Sequence, residues 1–248
     1  MSAIYSNLAG RVVFVTGGAS GIGADIVRAF ASHKAKTVFV DIQDDTGNAL
    51  AAELGATYLH CDVTDIAALQ QTIRNVGETV GPIGVLVNNA ANDERHKIDD
   101  VTVEYWDNSQ EVNLRHQFFA AQAVRAQMKS LGGGSIINFS SITWRGGADT
   151  IAVYAVAKAG VVGLTHSLAR EFGKDNIRVN AIEPGAVITE RQRRLWYKDQ
   201  AAVDFVVSRQ AINRMLLGDE VARLVLFLAS DESRMITKQS ITIDAGLR

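Results

Sequence analysis

The sequence predicts an α/β fold: a single doubly wound domain over residues 1–248, with a mostly parallel seven-stranded sheet flanked by helices. Three observations predict it. Short apolar runs recur along the chain, separated by segments with helical spacing. The runs are apolar throughout, as strands covered on both faces must be. A glycine-rich turn joins the first run to the first helix, in strand–turn–helix order.

The elements follow in order. Residues 12–15 read as a buried strand, 22–30 as a helix and 37–40 as a second strand. A helix over 45–54 leads to a strand at 57–61, and a helix over 66–80 leads to a strand at 85–87. One long helix is expected over about 103–129, ended by Gly132-Gly133-Gly134 and followed by a strand at 135–139. Residues 152–172 are helical, and 177–182 form a strand broken by Pro184-Gly185. A polar stretch at about 189–213 shows no clear period. A helix at 219–229 and a strand at 241–243 close the chain. No linker, repeat or second composition regime divides it. The region at about 186–213, past a strand's carboxyl end, is the expected substrate loop.

Composition narrows the class. The chain is 47% hydrophobic and 21% charged, with 25 basic and 27 acidic residues and a net charge of −2. That balance gives no basic face for nucleic acid. Cys61 is the only cysteine, which excludes an internal disulfide and favours a reducing compartment. No charged segment leads into an apolar signal region, and the runs at 12–15 and 224–228 are far too short to span a membrane. The expectation is a soluble, cytoplasmic protein. The five histidines are scattered, so no metal cluster is visible.

Thr16-Gly17-Gly18-Ala19-Ser20-Gly21-Ile22-Gly23 places glycines at 17, 21 and 23. Glycine lets backbone amides approach a phosphate closely, and the helix N-terminus adds partial positive charge. An ordinary glycine-rich turn is the bland alternative, and the strand–turn–helix context weighs against it. Asp41 ends the second strand, where a carboxylate accepts hydrogen bonds from both ribose hydroxyls of an adenosine. It would repel a 2′-phosphate by roughly 4 kcal/mol at 4 Å and an effective dielectric near 20. Ile42 and Gln43 follow it, with no basic residue, so NAD is favoured over NADP. Asp62-Val63 ends the third strand, near where an adenine amine would lie. Asn88-Asn89-Ala90 ends the fourth and is read either as a cleft-lining pin between strands or as a plain turn.

Tyr154-Ala155-Val156-Ala157-Lys158 sets a phenol and an ammonium one helical turn apart. A free Tyr titrates near 10; bringing it near 7 takes about 4 kcal/mol, which a neighbouring Lys and a nicotinamide's positive charge are suited to supply. Ser141 lies upstream at a strand end, where its hydroxyl could hold a substrate oxygen. Asn113 offers an interior polar anchor. Tyr-x-x-x-Lys alone is common and mostly structural; its weight comes from the combination.

Glycine loop, strand-end acid, Asn-Asn-Ala, Ser and Tyr-x-x-x-Lys, in this order along nearly the whole chain, resemble the short-chain dehydrogenase/reductase family. The resemblance implies a Rossmann-type fold and alcohol–carbonyl chemistry. It makes Tyr154 the general acid/base, with Lys158 lowering its pKa and holding the nicotinamide ribose. Ser141 would orient the substrate oxygen, and Asn113 would complete a proton relay. It also implies cofactor contacts at Gly17, Ser20, Gly21, Ile22, Gly23, Asp41, Ile42, Asp62, Val63, Asn89, Ala90, Ala91, Pro184, Gly185, Val187 and Thr189. Ala91 departs from the family's usual Gly, which puts the local backbone approach in question. A homotetramer, often built through the two long helices, is the family expectation.

Three polar, aromatic segments flank the predicted cleft: residues 92–97, 142–145 and 191–197. Trp faces beside hydrogen-bonding groups suit a polyol, although loops are polar in general. Asn88 to Lys97, Ile137 to Trp144, Arg191-Gln192 with Trp196-Tyr197, and Asp244-Ala245-Gly246-Leu247-Arg248 are similar to the bacterial aldose 1-dehydrogenase branch, which includes xylose, arabinose and galactose dehydrogenases. That implies oxidation of the anomeric C1 hydroxyl of a cyclic aldose to the lactone. Asn92, Asp93, His96, Trp144, Glu183, Arg191 and Trp196, with Ser141 and Tyr154, are the expected sugar contacts. The alternatives are a reductase of another small polar carbonyl compound, or a nucleotide-sensing protein without catalysis.

Overall fold

The computed structural model describes residues 3–247; Arg248, the last residue of the C-terminal motif, lies outside them. Seven strands form one sheet, in the order β3-β2-β1-β4-β5-β6-β9: β1 (Val12–Thr16), β2 (Lys36–Asp41), β3 (Thr57–His60), β4 (Ile83–Asn88), β5 (Gly134–Phe139), β6 (Ile177–Pro184) and β9 (Ser240–Ile243). All six pairings are parallel. Every residue of β1 and β4 is buried, which accounts for their unbroken apolar character.

Two cores lie on the two faces. Ile26, Val27 and Phe30 of α1 (Gly21–Ser32) and Val221 and Val225 of α10 (Gly218–Ala229) pack with Val13, Val15 and Phe39. On the other face Leu69 and Ile73 of α3 (Ile66–Thr79) and Val124 of α5 (His116–Ser130) pack with Phe14, Leu86 and Ile136. Leu168 and Phe172 of α7 (Ala152–Phe172) complete that face. The apolar length of α7 therefore serves the core, although the helix is long and apolar enough to cross a membrane. The remaining βα helix, α2 (Asp44–Leu54), ends at Gly55 in the left-handed region.

Strand order reverses between β1 and β4. A crevice opens there at the carboxyl ends of the strands, where ligands bind in sheets of this kind.

Two expectations are corrected. The long helix is two, α4 (Val103–Gln110) and α5, joined by a π-helical turn at Glu111–Arg115. Asn113 sits in that turn, and its amide donates to Ser109 O at 2.9 Å. The stretch past Pro184 is also more regular than expected. β7 (Val187–Ile188) pairs in parallel with β8 (Leu216–Leu217), and between them lie α8 (Glu190–Leu195) and α9 (Gln200–Val207). Thr189 and Asp199 cap these helices by accepting from Gln192 N and Ala202 N. A short helical turn, α6 (Thr143–Gly146), follows β5.

Candidate active site

The first βα turn is built by steric exclusion. Gly17 and Gly21 have φ of +67° and +54°, where a side chain strains the backbone. A Cβ on Gly23 would lie 1.8 Å from Gly17 O, and one on Gly17 2.7 Å from Ala90 Cα. The amides of Gly17 and Gly18 donate to Val40 O and that of Ala19 to Asp41, so the α1 N-terminus is what the turn offers to an anion. Gly21 opens that helix with Ile22 as its second residue, and Ser20 precedes it in an extended conformation, its hydroxyl making no cap. Asn89 pins β4 to β1: its amide donates to Thr16 O and Gly17 O, while its own N–H and that of Ala90 donate to Thr16 Oγ1. Ala91 lies outside the positive-φ residues, so its methyl imposes no backbone strain.

Asp41 is buried at the end of β2. It accepts from Ala19 N at 3.0 Å through Oδ2, and from Ile42 N at 2.8 Å and Gln43 N at 3.2 Å through Oδ1. The Gln43 side chain also bridges Asp41 Oδ1 and Ser20 Oγ. Ile42 is exposed beside it, an apolar face for a base. Asp62 Oδ1 caps its own turn, accepting from Thr64 N and Oγ1, with Val63 buried next to it. On the opposite wall Gly185 packs so closely on Asp244 that a Cβ would lie 2.6 Å from Asp244 Cβ. Pro184 O accepts from Ile142 N, and Val187 is buried in β7. Thr189 approaches Gly21 across the crevice, its methyl 3.6 Å from where a Gly21 Cβ would lie. A dinucleotide fits this arrangement: an open glycine cradle for the phosphates and a strand-end carboxylate for the ribose.

The chemical end lies on β5, α7 and the π turn. Ser141 Oγ follows β5, stands 2.7 Å from Thr143 Oγ1 and acts on the Tyr154 phenol, favouring its ionisation. Tyr154 and Lys158 share a face of α7, with Nζ 5.3 Å from the phenol ring centroid. Ser140 Oγ donates to Lys158 O at 2.7 Å, fixing this turn of α7 on β5. Lys158 is fully buried and its Nζ donates to Phe139 O at 2.8 Å. Asn113 clamps the loop after β4: its Oδ1 accepts from Asn92 N at 2.9 Å and its Nδ2 donates to Asn92 O at 3.0 Å.

Electrostatics sets the resting state. Burial, then the Asp93 carboxylate, raise the Tyr154 phenol above its ordinary range; Ser141, Arg191 and Arg95 pull against them. Burial pulls the Lys158 amine down to about 7, opposed by Asp93. Added positive charge beside the phenol is what turns this pair into a base.

The expected sugar contacts divide. Trp144 and Trp196 are half-buried, each with a guanidinium stacked on it: Arg145 at 4.2 Å and Arg95 at 4.9 Å. Asn92, Asp93 and Arg191 come together but bond one another, Arg191 reaching both Asp93 and Asn92 Oδ1. Two of the expected contacts are engaged by the protein itself. Both ring nitrogens of His96 are engaged, Nδ1 with Tyr105 Oη and Nε2 accepting from Val153 N at the start of α7. Glu183 is fully buried, with Arg145 donating to both oxygens at 2.9 and 3.2 Å and Thr242 to one.

A buried polar set lies behind the site, and its members Asn138, Thr165 and Gln117 are not among the expected site residues. Asn88 Nδ2 donates to Asn138 Oδ1, Asn138 Nδ2 to Thr165 Oγ1, and Gln117 Nε2 to Asn113 O. Their signal is a polar residue inside an apolar strand, or one turn from Asn113 on a helix. Among the described residues no group of carboxylate, His and Cys side chains could hold a metal.

Fold and site together define a nicotinamide-dependent oxidoreductase. A family profile described as enoyl-(acyl carrier protein) reductase matches residues 17–248. The D-xylose 1-dehydrogenase of Caulobacter vibrioides is 44% identical, over 100% of this chain and 99% of its own. The probable galactose dehydrogenase GalD of Rhizobium meliloti is 45% identical, over 99% and 98%. The 3-alpha-(or 20-beta)-hydroxysteroid dehydrogenase of Mycobacterium tuberculosis is 40% identical, over 96% and 90%. The chain belongs to the short-chain dehydrogenase/reductase family.

Proposed function

We propose that this enzyme oxidises the anomeric C1 hydroxyl of a cyclic pentose or hexose to the lactone, with NAD. The observation that carries the reading is that Ser141 lies beside the Tyr154–Lys158 pair where α7 packs on β5, with Asn113 tying down the polar loop at Asn92. The names of the two sugar dehydrogenase relatives support it.

Ser141 holds the C1 oxygen by a hydrogen bond. Tyr154 Oη takes the C1 hydroxyl proton as the C1=O bond forms and the C1–H bond breaks. A bound nicotinamide ring supplies the hydride acceptor and a positive charge that favours the tyrosinate. Lys158 adds a second positive charge and reaches the cofactor's ribose. Asn113 keeps the loop wall in place. NAD is preferred because Asp41 would face a 2′-phosphate with like charge, a repulsion of roughly 4 kcal/mol at 4 Å and a dielectric near 20. The enzyme is read as cytoplasmic and single-domain. It is also read as homotetrameric, with exposed Trp106, Phe118 and Val156 on α4, α5 and α7 as the covered faces.

A panel of aldopentoses and aldohexoses, run with NAD and NADP side by side, tests this. NADH forms with at least one aldose, NADP supports far less, and Tyr154→Phe abolishes turnover while NAD still binds. Turnover confined to steroid alcohols or ketones overturns the sugar reading.

A further inference from the structure

The polar segment at 92–96 does more bonding to the protein than a ligand-facing loop requires. Asp93 accepts from Arg191, and its Oδ2 accepts from Gln192 Nε2 at 2.8 Å. Asn92 Oδ1 accepts from Arg191 Nη2 at 3.1 Å. Arg95 lies over the Trp196 ring at 4.9 Å, a second attachment just past α8. The joined segments are about a hundred residues apart in sequence, so these contacts serve tertiary closure. The inner end of the loop is fixed by Asn113, which binds both backbone groups of Asn92. The outer end reaches the cofactor cradle, since Thr189, the cap of α8, stands over Gly21.

The position of Asp93 gives closure a chemical consequence. Its carboxylate acts on both Tyr154 and Lys158, and Arg191 offsets its effect on Tyr154. With α8 withdrawn, an unneutralised carboxylate would face the phenol and disfavour its ionisation.

We propose that Asp93 is a positioning residue: with Arg191 and Gln192 it clasps α8 over the cleft, and through that clasp it makes proton removal by Tyr154 depend on closure. The residues expected to touch sugar are, in this reading, occupied in holding the site shut. The proposal rests on Tyr154 being the base, but its structural part is independent of the substrate.

Trypsin is the probe, because Arg193, Arg194 and Lys198 are exposed on or just after α8. With NAD bound, Asp93→Asn should be cut there about five- to tenfold faster than wild type, as expected for losing a partly exposed ion pair and one hydrogen bond. Its thermal midpoint should stay close to wild type. Gln192→Ala provides a second, milder opening. The charge swap Asp93→Arg with Arg191→Asp should restore protection to within about twofold of wild type. Arg191→Gln, which opens the clasp and leaves the Asp93 carboxylate unneutralised beside the phenol, should lower kcat more than it raises the sugar KM. Unchanged protection in Asp93→Asn, a swap that rescues nothing, or a rise in sugar KM alone overturns the clasp. Failure on every aldose leaves the trypsin result standing and sinks only the sugar reading.

Discussion

Replacing Lys158 by Met should stabilise the cofactor-free protein while disabling it. The amine is fully buried and pulled down from 10.5 to about 7, chiefly by burial. A depression of that size corresponds to about 5 kcal/mol against the charged form in the folded state. The loss of the bond from Nζ to Phe139 O offsets about 1 kcal/mol of this, and no more, because Gln117 Nε2 also donates to that carbonyl. The net gain is therefore about 3–4 kcal/mol at pH 6, or roughly 10 °C in Tm for a domain of this size. Its pH dependence has a definite sign. Between pH 7 and 10.5 the unfolded chain holds a proton that the folded chain has shed, so wild type gains stability as pH rises through that window. The variant has no such gain, so the gap between them is widest at pH 6 and nearly closed at pH 10. Urea unfolding without cofactor at pH 6, 8 and 10 measures it, with turnover expected to fall at least about 100-fold. A variant no more stable than wild type at pH 6, or a gap constant across the series, refutes the reasoning.

Two further outcomes follow from the same geometry. Gly23→Ala forces a Cβ to 1.8 Å from Gly17 O, so the phosphate cradle must deform. NAD affinity by fluorescence titration should fall by more than about 100-fold, as for loss of several backbone–phosphate contacts. His116 is fully buried and held neutral, its pKa pulled down to about 3 by burial and by Lys158. From pH 6.5 down to 3 the unfolded chain binds the proton first, so wild type should lose about 1.4 kcal/mol per unit from this group. His116→Leu should lack that component when urea midpoints at pH 6.5 and 4.5 are compared.

What the sequence discloses and what it conceals divide along a physical line. Runs such as residues 12–15 and 85–87 announce strands because burial on both faces removes every polar position from them. The glycines at 17 and 23 announce the cradle because no other residue avoids the clash. Tyr154 and Lys158 announce themselves because helical spacing alone puts them on one face. The π turn at Glu111–Arg115 left no trace in the periodicity, since one widened turn shifts the apolar stripe too little to break it. α8 was missed for a related reason: Glu190–Leu195 is too short and too charged to show a stripe, and only its Thr189 cap marks it. The polar loops show the limit most clearly. Composition identifies residues such as Asp93, His96 and Glu183 as chemically able to bind a sugar. It says nothing of the partners that reach them from far along the chain: Arg191 for Asp93, Val153 for His96, Arg145 for Glu183. A buried polar group must be satisfied by something, and the fold supplies protein partners before any ligand arrives. Under the proposed sugar chemistry, recognition would therefore come from groups the fold leaves free or can release, and the clasp at Asp93 is where holding and releasing would meet.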